Sequence, residues 1–213
     1  MVVAVIADMV GSRRLPDRVA AQRVLDDTIE RVERERPLAL EPLTPTVGDE
    51  QQGVYAELGA ALTSLAMVQL ALPADVGFRF GLGIGVVRSF ASSGGRLSDG
   101  PGWWAARAAI ETVQERERGA IPSARTWIVG AQGQDEVMPA TIDAANAYLL
   151  LRDELVGAMS DRERRLAYGR LMGTSQTQLA EQEGITQPAV SKALRRSGAN
   201  ALLLGLDQLT GAH

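Results

Sequence analysis

The chain has no cysteine, and its single histidine is His213, the last of 213 residues. The first absence excludes disulfides and thiol chemistry and fits a reducing cytosol. The second argues against histidine catalysis and a histidine-containing zinc site. No apolar run approaches the length of a membrane span. The first run, "VVAVIA" at 2–7, is short, has no basic residues before it and ends at Asp8, so neither a signal peptide nor a membrane anchor is expected. The reading is therefore cytoplasmic, with no membrane partner. Hydrophobic residues make up 46% of the chain, which argues for a folded core rather than disorder.

Charge is unevenly spread. Residues 1–159 hold 15 Lys and Arg against 21 Asp and Glu, whereas residues 160–213 hold 7 against 5. Between 184 and 200 there are Lys192, Arg195 and Arg196 and no acid. A basic patch on an acidic chain points to a polyanion partner for the C-terminal part alone.

Along the first 150 residues strand-like and helix-like segments alternate. Strands are predicted at 2–7, 76–87 and 126–129, and a tight hairpin across 44–56 turning at Gly48, Asp49 and Glu50. Helices are predicted over 17–36, 57–72, 103–117 and 140–159. Residues 89–102 hold eight Gly or Ser and read as a mobile loop. Gly81, Gly83 and Gly85 leave one strand face without side chains, so either a helix or a ligand comes close there. From Ser160 the pattern is helical, beginning with the capping box "SDRE" at 160–163. The predicted division is an α/β mixed-sheet domain over 1–158 and a small all-α domain over 159–213.

The chemistry begins at Asp8. A carboxylate ending a buried strand needs a partner. If the first strand and the hairpin are neighbours, Asp8 and Asp49 converge. Two carboxylates about 4 Å apart repel by roughly 4 kcal/mol at an effective dielectric near 20. A divalent cation removes that repulsion, and hard oxygen ligands suit Mg²⁺ or Mn²⁺. Gly11, Ser12, Arg13 and Arg14 follow, offering backbone donors, a hydroxyl and cations for phosphate. For Asp8 alone, a turn-capping aspartate is the plainer reading.

In "TSQTQLAEQEGITQPAVSKALRRSGAN" (174–200), Leu179 and Ala180 fall in one helix and Gly184 at a turn. Thr186 opens a second helix with Pro188 in its first turn. Val190, Ala193 and Leu194 face inward, leaving Gln187, Ser191, Lys192, Arg195 and Arg196 outward. The spacing matches a helix-turn-helix, apart from Glu183, where an apolar residue is commoner. In that reading Arg195 and Arg196 meet phosphates, while Gln187, Ser191 and Lys192 reach base edges. The alternative is a helical hairpin with a solvated basic face. The segment resembles the helix-turn-helix of bacterial regulators and region 4 of sigma factors.

"ADMVGS" (7–12), "VGDE" (47–50), "RFGLGIG" (79–85) and "GPGWWAARAAI" (100–110) resemble, in order and spacing, class III nucleotidyl cyclase domains and the related GGDEF domains. The chain as a whole resembles the SatD family of bacterial proteins. The cyclase resemblance implies a ferredoxin-like, cyclase-type sheet and a site completed across a homodimer. It also implies metal ions held by Asp8, Asp49 and the Met9 carbonyl, a bound nucleoside triphosphate, and Arg107 as the arginine that would act on the transition state. Trp103 stands where that pattern has an asparagine, and Thr46 and Arg96 stand near its base-selecting positions. Trp103 and Trp104 could stack on a base or belong to a dimer interface. Three functions follow: a DNA-binding regulator that senses a nucleotide, an active cyclase-type enzyme localised by its helix-turn-helix, and a sigma-like accessory protein that contacts RNA polymerase.

Overall fold

Alternating faces build the sheet of the computed structural model, which describes residues 2–11, 17–46, 50–92, 95–133 and 137–211; the side chains of 18, 89–98, 137 and 138 lie outside that description. In β1 (Val2–Met9), Val3, Val5, Ala7 and Met9 enter one core cluster and Ala4 and Ile6 another, as period-2 alternation requires. The chain continues through α1 (Arg18–Glu35), β2 (Ala39–Pro45), β3 (Gln51–Tyr55), α2 (Leu58–Ala71) and β4 (Phe78–Gly85). β1 lies antiparallel between β3 and β4, and β2 pairs with β3. This order, β2-β3-β1-β4, is that of the split βαβ sheet, with α1 and α2 on one face. α3 (Pro101–Arg118) crosses to the opposite face and leads into β7 (Thr126–Gly130), which adds parallel to β4. The fold class is thus the mixed α/β sheet flanked by helices that the sequence predicts.

α3 sits almost on the backbone of β4. A Cβ at Gly83 would lie 2.0 Å from the Gly102 carbonyl oxygen, and one at Gly81 would lie 2.5 Å from that of Ala106. The bare strand face therefore receives a helix, not a ligand.

Residues 89–102 depart from the loop reading. β5 (Arg88–Ser92) and β6 (Gly95–Asp99) pair as an antiparallel hairpin. Gly and Ser signal turns by composition, but backbone pairing does not need large side chains.

α4 (Val137–Ala158) seals the outer edge of β7. The Asn146 carboxamide accepts from the Ile128 N–H at 2.9 Å and donates to its carbonyl at 3.0 Å, replacing a neighbouring strand. The Asp153 carboxylate takes the N–H groups of Arg125 and Thr126, both at 2.7 Å.

Two residues after α4, Ser160 caps α5 (Asp161–Leu171), with the Glu163 carboxylate returning a bond to the Ser160 N–H at 3.0 Å. α6 (Gln176–Glu183), α7 (Gln187–Arg196) and α8 (Ala199–Thr210) complete the chain. Ten consecutive residues of α2, Ala61 to Leu70, are buried, because the sheet covers one side and the C-terminal helices the other. Leu70 and Val156 share a cluster with Leu166, Leu179, Val190, Leu194 and Leu202. Among the described residues no helix is long and apolar enough to cross a membrane.

Candidate functional site

Strand alternation turns Asp8 toward α3, and the register sets it opposite Arg79. Arg79 Nη1 donates to Asp8 Oδ2 at 3.0 Å, and Gln114 Nε2 of α3 donates to the same oxygen at 2.8 Å. Arg79 Nε lies 2.9 Å from Glu117, whose other oxygen is 3.1 Å from Arg125. The described partner of the strand-end carboxylate is thus a neighbouring arginine. Asp49, Ser12 and Arg13, expected beside it, lie outside the described residues. Met9 ends β1 with its side chain buried, and Gly11 follows at φ +66°.

The second feature is Glu50, which begins the run into β3. Arg107 of α3 donates to it through both terminal nitrogens, at 2.7 and 2.8 Å, and Gln52 adds a third bond at 2.9 Å. This two-pronged geometry is the one a guanidinium offers to carboxylate or phosphate. The Glu50 hydrogen bonds, with the negative charges of Glu111 and Asp8 nearby, raise the Arg107 pKa above its ordinary value. The Arg107 side chain is 48% exposed, with its fork held by Glu50.

Asp8, Glu50, Glu111 and Glu117 are set against Arg79, Arg107 and Arg125, an excess of carboxylate at this end of the sheet. Both described bonds to Asp8 use Oδ2. Asp8, Glu50 and Glu117 are each paired with an arginine, and no group of three or more side chains that could hold a metal ion occurs among the described residues.

The tryptophans separate. Trp103 is 7% exposed and packs with Ala4, Ile6, Val54 and Ile110 inside the chain's own core. That placement corrects the reading of Trp103 as a base-stacking or interface ring: it points inward from α3 onto the sheet. Trp104, one position on, is 64% exposed and donates from its indole to Asp99 at 3.0 Å.

In the C-terminal part, α6 and α7 are joined by Gly184 in the left-handed conformation, with Thr186 capping α7. Val190 and Leu194 are buried, and Gln187, Lys192, Arg195 and Arg196 are exposed on the other side, with Ser191 half-buried. Gln187 donates to Gln176 at 2.7 Å, joining the first turns of the two helices. Arg196 reaches Glu163 at 2.9 Å while remaining largely exposed. The unusual Glu183 is explained by Arg165, which donates to both its oxygens at 2.7 and 2.8 Å.

Sequence reasoning missed Glu50, Arg79, Gln114 and Glu117 as members of the site. The available signal was Arg79, a charged residue inside an otherwise apolar strand.

The profile of the SatD family matches residues 2–208. No curated protein matches the chain. Solved structures similar to it include an adenylate cyclase of Trypanosoma brucei in its monomeric state, 16% identical, with a TM-score of 0.42 over 53% of this chain and 68% of that one. Another is a bacterial light-regulated adenylyl cyclase, also 16% identical at a TM-score of 0.42, over 54% of this chain and 39% of that one.

Proposed function

The chain belongs to the SatD family, and from that premise we propose that it is a DNA-binding regulator whose sheet domain binds a nucleotide with a divalent cation. In this reading nucleotide occupancy controls DNA binding by a helix-turn-helix formed by α6 and α7, and the protein works as a homodimer.

The observation that carries the proposal is the half-exposed Arg107 side chain, its fork on Glu50, beside Asp8 at one end of the sheet. A guanidinium fork suits a phosphate, and a carboxylate with the Met9 carbonyl suits the cation that accompanies a triphosphate. Asp8, Met9 and Asp49 would hold that cation, which neutralises phosphate charge when bound. Arg107 would exchange Glu50 for a phosphate oxygen. Gly11, Ser12 and Arg13 follow β1 and would add donors.

An enzyme that forms a cyclic nucleotide is the second reading, since Asp8 and Arg107 are both present. Trp103 weighs against it: the position that carries asparagine in the cyclase pattern is a core ring here.

For DNA, the support is the exposed row of Gln187, Lys192, Arg195 and Arg196 on a short capped helix. A dimer would read two half-sites about 34 Å apart, one helical turn.

The test is incubation of pure protein with each nucleoside triphosphate and Mn²⁺, followed by mass analysis of products and retained ligand. Retention without turnover, abolished by Asp8→Ala, supports the regulator. Robust cyclic product lost in Asp8→Ala supports the enzyme. A gel shift with and without nucleotide tests the DNA arm, and absence of binding to any duplex at low salt would leave a contact with RNA polymerase as the role of α6 and α7.

A further inference from the structure

A partly enclosed cavity of about 140 Å³ lies between the sheet body and the C-terminal helices. Its wall includes Gln69 of α2, Phe78 at the start of β4, Ser123 and Arg125 ahead of β7, Asp153 of α4 and Arg164 of α5. Arg164 is the one residue beyond Ser160 in that wall, among those described. Phe78 belongs to the core cluster on the α2 side, so the cavity is separate from Asp8, which faces α3.

The polar atoms of the wall are unevenly used. Asp153 is saturated: it accepts from Gln69 at 3.0 Å, from two backbone N–H groups and from Arg152. Arg164 Nη1 reaches the Gln69 and Leu72 carbonyls at the end of α2, at 3.4 and 3.3 Å. Three buried polar atoms of this wall have no hydrogen-bond partner among the described residues: Gln69 Oε1, Ser123 Oγ and Arg164 Nε. Gln69 and Arg164 are 7% and 8% exposed. Leaving such groups unmet is costly, and a native fold normally meets them with water or a ligand. Burial also lowers the Arg164 pKa from its ordinary value, a penalty that an anion would offset.

Arg125 Nη1 is already taken by the Pro122 and Ala124 carbonyls at 2.9 and 2.7 Å, so Arg164 Nε and the Ser123 hydroxyl supply the unmet donors, and one carboxamide oxygen asks for a donor in return. A fully deprotonated anion satisfies the first set and repels the Gln69 oxygen. We propose that this cavity binds a small oxyanion that keeps one hydroxyl at neutral pH, with hydrogen phosphate as its simplest member. Its oxygens would take Arg164 Nε and Ser123 Oγ, and its P–OH would donate to Gln69 Oε1. A cavity of about 140 Å³ has room for a group of five heavy atoms. An ion held there would tie α5 to the sheet body. It would also touch Arg125, whose Glu117 partner pairs with Arg79 and so with Asp8.

The experiment is titration calorimetry of the full chain with inorganic phosphate, against sulfate at matched ionic strength. Saturable one-site heat with phosphate and at least tenfold weaker response to sulfate is expected. Ser123→Ala removes a hydroxyl with no hydrogen-bond partner among the described residues, so the fold should hold while phosphate affinity falls about tenfold. Arg164→Lys keeps a cation for the α2 carbonyls but loses Nε–H, and should weaken phosphate similarly. No saturable heat with phosphate, an equal response to sulfate, or affinity unchanged in both variants would overturn the proposal. Loss of the heat in Arg107→Ala would place the phosphate at the nucleotide site and overturn it too.

Discussion

Glu50 holds the Arg107 guanidinium with both carboxylate oxygens, at 2.7 and 2.8 Å. It occupies the fork that a phosphate would need. Because Arg107 is half-exposed, the pair is worth about 1 kcal/mol at most, a modest competitor. Glu50→Gln should therefore tighten binding of a nucleoside triphosphate with Mn²⁺ by about fivefold. Arg107→Ala should weaken it by at least about tenfold, as loss of a charge-assisted pair implies. Titration of a fluorescent triphosphate analogue reads both. Weaker binding in Glu50→Gln would make Glu50 a support of the site instead of an occupant.

The packing of α3 on β4 makes a stability prediction with an internal control. Alanine at Gly83 would force its Cβ to 2.0 Å from the Gly102 carbonyl oxygen and 2.3 Å from the Ala106 nitrogen, both backbone atoms. The helix must shift, and Gly83→Ala should destabilise by about 3 kcal/mol. Gly157, in the last turn of α4, meets nothing within 4 Å. Gly157→Ala should instead stabilise by up to about 1 kcal/mol, through helix propensity alone. Urea unfolding midpoints should move in opposite directions for the two.

How much of this was legible in the sequence depends on which atoms decide each feature. The β1 strand, β3 and the helices α1 to α4 follow from periodicity and caps, which are local, whereas β2 (Ala39–Pro45) lies mostly ahead of the hairpin predicted over 44–56. The Gly81, Gly83 and Gly85 row announced a close approach but not what approaches. Arg79 as partner of Asp8 depends on which residues of β1 and β4 stand opposite, and register between strands 71 residues apart is not written in either strand alone. Glu183 looked anomalous for a turn because its partner, Arg165, sits 18 residues earlier on another helix. The Gly- and Ser-rich 89–102 stretch misled because a hairpin needs backbone pairing more than side-chain bulk. Trp103 and Trp104 were equivalent in sequence, and helix phase alone separated a core ring from an exposed one.

Two carboxylates of the C-terminal helices set a pH dependence. Glu163 is pushed below the ordinary carboxylate value, first by the Arg196 hydrogen bond and then by the Ser160 N–H. Glu183 is pushed down by Arg165. A carboxylate with a lowered folded-state pKa adds stability that is present above its unfolded value and lost as pH falls through the folded one. The C-terminal helices should thus weaken as pH drops below about 4.5, the ordinary value, and be insensitive from there toward neutrality. Circular dichroism of the wild type and of Glu163→Gln/Glu183→Gln across that range checks it. The double variant should be less stable at neutral pH and show a shallower acid loss.

The exposed side of α7 gives the last prediction, and its residues should not behave alike. Lys192 and Arg195 are exposed on the helix and project from a chain whose net charge is −4. General attraction cannot draw such a protein to DNA, so the local patch must. Replacing either by alanine should weaken binding to all duplexes alike and lower the slope of log K against log[salt] by about one unit. Arg196 differs because its guanidinium is already engaged by Glu163 at 2.9 Å, so a phosphate must compete for it. Arg196→Ala should change the salt slope by less than Arg195→Ala does, while Glu163→Gln should strengthen binding by releasing that arginine. Gln187 is different again: its carboxamide donates to Gln176 at 2.7 Å, which fixes its plane at the start of the helix and leaves its oxygen and second N–H for a base edge. Gln187→Ala should relax sequence preference with little change in salt slope, and Gln176→Ala should do the same more weakly by unfixing that plane. Fluorescence anisotropy against a random-sequence pool, repeated at several salt concentrations, separates these responses. Equal slopes and equal preference across all six variants would mean that α7 does not face the duplex.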